Sequence, residues 1–358
     1  MATSGFPKMT ASVFDEDGGA DGLDHRFRPG SDTLVVVFSQ VRVPAGKFGL
    51  ERLFAGTTHS LLLLNEPVNG WYRSRETAVD RLIGEAAGVA KASRLILYGS
   101  SMGAFGAAAA AARHPEAELY AFAPDFQIGE PGSQSAVAGL VGRPADADLG
   151  KLFATPRRGA ARVIVPLYDP YDAGVGARLA RESLPQTVTL VPLRSSHEVH
   201  DHLYSLNVIR KVTATFRRDI AVEAAARGLW VQSVDWPAHA RLASARAAFD
   251  AGAGFAPEAL LTLLPDVNPG LTLLAAEAAE RAGNVDQAAV LLADLDATIA
   301  ADTVLSGLAK RYLKEVPRRR IRLLKEVGDF AASRRVAVEA SARFPTDEGF
   351  AALAASPG

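Results

Sequence analysis

The stretch Arg94-Leu95-Ile96-Leu97-Tyr98-Gly99-Ser100-Ser101-Met102-Gly103-Ala104-Phe105-Gly106 decides how this chain reads. A short apolar run of strand character enters a tight turn, and an Ala-rich helix leaves it, to about Arg113. The turn carries Gly99-x-Ser101-x-Gly103. Glycine on either side of the serine relieves crowding at a sharp strand-to-helix corner. Such a corner lifts the Ser101 hydroxyl above the sheet and aims the first N–H groups of the new helix at the same space. The plain alternative is a Gly-rich turn with no chemistry.

Outward from this corner, strands and helices alternate. Thr33–Phe38, Ser60–Asn65, Glu118–Ala123, Arg162–Tyr168 and Thr187–Leu193 are short, β-branched or leucine-rich runs. Continuous apolar runs suit strands buried on both faces, hence a parallel sheet. Helical spacing over 76–92 and about Gly174–Glu182 fills two of the gaps, so the pattern predicts an α/β fold with a mostly parallel, doubly wound sheet. Residues 1–30 read as loop or a poor hairpin, 31–225 as the α/β domain, and 126–160 as loop that could cap it. After about Asp219 the strands stop. Residues 240–358 read as an all-α, helical-repeat-like domain. Its turns at Gly283 and Gly328 resemble those of tetratricopeptide hairpins, although they lie 45 residues apart.

Composition narrows the function. The chain has 358 residues, 48% hydrophobic content and a formal net charge of −1, so no global charge draws it to nucleic acid or membrane. It has no cysteine, which excludes disulfides, thiolate zinc sites and a cysteine nucleophile and suits the cytoplasm. Neither a signal peptide nor a membrane span is expected. Eight basic residues between Lys310 and Lys325 read as a solvated helix face rather than a polyanion site.

A serine hydroxyl needs a base, and the base needs an orienting acid. Two strand ends supply them: Tyr168-Asp169-Pro170-Tyr171-Asp172 and Ser195-Ser196-His197-Glu198-Val199-His200-Asp201-His202. With the serine turn, this order resembles the α/β-hydrolase superfamily over about residues 30–220. The resemblance implies Ser101 as nucleophile, His197 as base and Asp172 as acid. Asp169 competes, because it stands where the family's strand-ending glycine would be; its other role is a turn or a cap for the helix after Gly174. Asp125 is a further alternative acid or a pocket residue. The family's oxyanion hole maps to the backbone amides of Gln40 and Met102. Trp71 and Tyr72 are candidates for a substrate-binding rim, or else core. His200 and His202 read as ordinary polar helix residues. Neither a metal nor another cofactor is expected.

The expected function is a serine esterase, deacylase or O-acyltransferase working through an acyl-enzyme. A small-molecule or glycan ester, such as an acylated saccharide, is the expected substrate. The build is also similar to hydrolase-like accessory proteins of bacterial glycan and adhesin biosynthesis. The competing expectation is an inactive hydrolase-fold scaffold that binds a protein partner through its helical tail.

Overall fold

The computed structural model describes residues 22–355. Seven strands form one sheet: β1 Asp24–Arg28, β2 Ser31–Phe38, β3 His59–Asn65, β4 Arg94–Ser100, β5 Glu118–Phe122, β6 Ala161–Pro166 and β7 Val188–Leu193. Their order is β1-β3-β2-β4-β5-β6-β7, with β1 antiparallel to β3 and every other pair parallel. The region expected to be loop or hairpin up to residue 30 therefore contains an edge strand, paired not with its successor but with β3. Residues 1–21 of that expected segment lie outside the described residues.

The two-residue period of a strand sorts the core into two layers. Leu34, Val36 and Phe38 face one layer, where helices Glu76–Ala90, Met102–Arg113 and Pro170–Leu179 cover the sheet. Val35 and Val37 face the other, beneath helices Val199–Ser205, Val208–Thr213 and Ile220–Ala225. Covering both faces is what lets these strands be apolar throughout. The helix Pro170–Leu179 starts earlier than the spacing suggested, with Asp169 as its N-cap, so Asp172 lies in its first turn.

From Trp236 onward the described chain is helical. Gly283 and Gly328 have φ of +79° and +81°, the left-handed conformation that ends a helix. Each closes a hairpin, Pro269–Arg281 with Val285–Ala301 and Lys310–Glu326 with Phe330–Arg343. The basic run of 310–325 is in part tied down by ion pairs. Arg319 pairs with Glu277 and Glu280, Arg320 with Asp296, and Lys314 and Arg318 with Asp347, so the charges join neighbouring helices. Among the described residues no helix is long and apolar enough to cross a membrane.

These helices are seated on the ends of β6 and β7. The Asn268 side-chain amide donates to the Leu167 carbonyl at 2.9 Å, and Arg194 donates to Asp302 at 2.8 Å. A Cβ built on Gly270 would lie 1.8 Å from the Tyr168 carbonyl oxygen. Gly270→Ala should therefore lift the helix from its seat and cost about 1–3 kcal/mol, as overpacking does. Urea unfolding followed by circular dichroism measures it, and an unchanged midpoint would contradict the contact.

Candidate active site

The corner after β4 has the strain its glycines foretell. Ser101 has φ 53° and ψ −118°, a conformation rarely adopted by a residue with a side chain. A Cβ on Gly99 would meet the Gly103 carbonyl oxygen at 2.2 Å, and one on Gly103 would meet the Phe38 carbonyl oxygen at 2.2 Å. Only glycine permits both approaches. They press the start of the helix Met102–Arg113 against the end of β2, beside Ser39 and Gln40.

Three sequence-predicted side chains meet above this corner. His197 Nε2 lies 3.1 Å from Ser101 Oγ, and His197 Nδ1 lies 2.8 Å from Asp172 Oδ2. An ionised Asp172 assigns the proton to Nδ1, which donates to the carboxylate; Nε2 then accepts from the serine hydroxyl. Ser101 is 8% exposed and Asp172 1% exposed, so the line is nearly buried. Burial by itself would lower the affinity of His197 for a proton, but the adjacent Asp172 carboxylate reverses this and raises it above the ordinary 6.5. Burial also pushes Asp172 upward, and the imidazolium opposes that push.

Asp169 does not reach the imidazole in a hydrogen bond. Its carboxylate accepts the Asp172 backbone N–H at 3.0 Å and caps the helix that starts at Pro170, not after Gly174. Asp125 is fully buried and accepts the amides of Gln134 and Ser135 at 3.2 and 2.9 Å, so it holds the loop after β5. Trp71 and Tyr72 are not on an open rim: they are 1% and 5% exposed and belong to the core. The amides of Gln40 and Met102 make no hydrogen bond among the described residues, which leaves both N–H groups free to face an oxyanion.

His200 and His202 are not ordinary surface polar residues. His200 Nε2 lies 2.8 Å from the Tyr98 hydroxyl. His202 is fully buried between Ser195 Oγ and the Val304 carbonyl, at 2.9 and 3.0 Å, and burial pulls it down to about 4. It is therefore a neutral strut between the β7 loop and the C-terminal helices. Composition and spacing could not have revealed it, because its partner Val304 lies far along the chain. Among the described residues no three His, Asp or Glu side chains are grouped to hold a metal.

No family model and no curated protein matches the chain. Two solved structures of the capsule O-acetyltransferase of Neisseria meningitidis serogroup A resemble part of it. One, in complex with caged gadolinium, is 13% identical with a TM-score of 0.40, covering 53% of this chain and 92% of its own. The other is 14% identical with a TM-score of 0.42, covering 55% of this chain and 91% of its own.

The two aspartates separate by experiment. Asp169→Ala should cost about 1 kcal/mol of stability, as a lost helix cap does, and leave the His197–Asp172 bond in place. Asp172→Asn should cut turnover of an activated ester by about 10⁴, because the imidazole loses its orienting carboxylate. It should also move the acid limb of the pH–rate profile to lower pH, since neutral imidazole is the active form and its proton is no longer held by a neighbouring charge. The opposite ranking of the two variants would transfer the acid to Asp169.

Proposed function

We propose that the chain is a serine-dependent acyl-transfer enzyme of the α/β-hydrolase type, with a body at 31–225 and a tetratricopeptide-like helical region at 240–358. The observation that carries this reading is the continuous line from the Ser101 hydroxyl through His197 to Asp172. Ser101 Oγ attacks an ester carbonyl while His197 Nε2 takes its proton. The carbonyl oxygen becomes an oxyanion facing the Met102 and Gln40 amides. His197 then gives the proton to the departing alcohol, leaving an acyl-Ser101 ester. Water or an acceptor alcohol, deprotonated by the same imidazole, releases the acyl group and regenerates the serine.

The substrate class we propose is an O-acylated saccharide or a similar polar ester, processed by hydrolysis or by transfer. A purely scaffolding role would leave a strained serine facing an imidazole without a use. The strain at Ser101 costs of order 1–3 kcal/mol, and such outliers persist where geometry serves function.

Ser101→Ala should keep the fold, by circular dichroism, and lose both ester turnover and labelling by a fluorophosphonate probe. Labelling that survives in this variant would remove Ser101 from the chemistry. In the unaltered protein, kcat/KM should rise with pH as His197 gives up its proton, and the rise should lie above the ordinary imidazole range because Asp172 holds that proton. A rate already at its plateau below pH 6.5 would contradict the coupling to Asp172.

A further inference from the structure

Tyr72 is buried in the layer beneath the site, and its hydroxyl has a specific target. It lies 3.0 Å from the Ser39 carbonyl oxygen and 3.2 Å from the Leu64 carbonyl oxygen. Its single hydrogen is shared between them, with the shorter contact to Ser39. The Ser39 carbonyl belongs to the same peptide unit as the Gln40 N–H. In a planar trans peptide the C=O and the N–H point to opposite sides. Holding the carbonyl inward therefore turns the Gln40 N–H away from Tyr72. A hydrogen bond on the carbonyl also polarises the unit and makes its N–H a stronger donor.

We infer that Tyr72 is the positioning residue of the oxyanion hole, acting through the Ser39–Gln40 peptide rather than on the substrate. The inference rests on the acyl-transfer reading above. Ser39 is fixed at two further points. Its N–H donates to the Leu64 carbonyl at 2.9 Å, and its Oγ accepts the Gly49 N–H at 2.8 Å. Without Tyr72 the carbonyl of this 1%-exposed residue would be the one loose end.

Tyr72 is itself aimed by its loop. The Glu66 carboxylate accepts the Tyr72 backbone N–H at 2.6 Å. Trp71 and Tyr72 both take φ of 58°, a left-handed pair that turns the ring inward. The ring meets Phe38 edge-on with centroids 5.2 Å apart. It also abuts Gly106, where a Cβ would lie 2.5 Å from Tyr72 Cδ2 and 3.2 Å from Phe38 Cδ1. A core aromatic with no polar task needs none of this. Phenylalanine would fill the same space.

The test compares Tyr72→Phe with Ser60→Ala. The second variant removes another buried hydroxyl from a carbonyl, Ser31 O at 2.7 Å, at the opposite end of β3. Tyr72→Phe should lower kcat by on the order of tenfold with KM within about twofold, less than the loss of a whole oxyanion donor. Affinity for a trifluoromethyl ketone, which adds to Ser101 and forms an oxyanion, should fall by the same factor. Ser60→Ala should lower the melting temperature without changing either quantity. Gly106→Ala pushes the ring while keeping the hydroxyl and should show the same kcat loss; it serves as the second variant if Tyr72→Phe does not fold. Unchanged kcat and ketone affinity per folded Tyr72→Phe molecule would overturn the role of Tyr72 and leave the acyl-transfer reading standing. An unaltered protein that neither reacts with the probe nor turns over esters would overturn that reading, and this inference with it.

Discussion

The geometry of the site depends on one close approach, that of Gly103 to the Phe38 carbonyl at the end of β2. Because no Cβ intervenes, the first turn of the helix Met102–Arg113 reaches the neighbouring strand end directly. That contact brings the start of this helix, next to Ser101 with its φ of 53°, against the end of β2 at Phe38 and Ser39. The cost falls on a residue that cannot relax. Ser101 N–H donates to the Phe122 carbonyl at 2.8 Å, and the helix behind it is buried along most of its length. Its run of small residues is therefore a packing requirement: larger side chains would hold the helix away from the sheet and open the corner.

Asp172 and His197 follow the ends of β6 and β7, which a separate part of the chain restrains. Leu167 and Tyr168, just before the acid's helix, meet Asn268 and Gly270. Arg194, just before the base, pairs with Asp302, and His202, just after it, bonds to Val304. The helix bearing Asp172 is also covered by Trp236–Asp250, with Gly174 against Ala243 and Gly176 against Trp236. The C-terminal helices thus bear on both loops whose relative position sets the Ser101–His197–Asp172 line. A tail docked in this way is continuous with the site, whatever further surface it presents.

The sheet was legible because strand patterning is local. Runs such as Leu34–Phe38 carry their two-face burial in their own composition. The serine corner was legible because glycines mark it on both sides. What escaped was set by partners distant in sequence. Trp71 and Tyr72 read equally as rim or core, because aromatic residues in a loop suit either; the Glu66 carboxylate and the left-handed backbone accompany their inward placement. The 310–325 charges read as solvated because their acids, Glu277, Glu280, Asp296 and Asp347, stand on other parts of the chain. Asp169 stayed a competitor to the favoured Asp172 because the sequence reading started that helix only near Gly174. With Pro170 opening the helix, Asp169 is its N-cap.

Three buried carboxylates follow strands of the sheet, and their partners differ. Glu66 after β3 is answered by the Tyr72 amide and by Arg75 at 3.9 Å. Asp125 after β5 is answered by two amides. Both carboxylates are bonded to backbone amides and so hold backbone in place. Asp172 has one oxygen on His197, while its other oxygen is buried with no hydrogen-bond partner among the described residues. An under-supported buried carboxylate is costly, and a positive imidazole beside it relieves the cost. Its charge is thus coupled to a proton that can move. Held by fixed amides at both oxygens, as Asp125 is, the same carboxylate would depend less on the charge of a neighbouring imidazole.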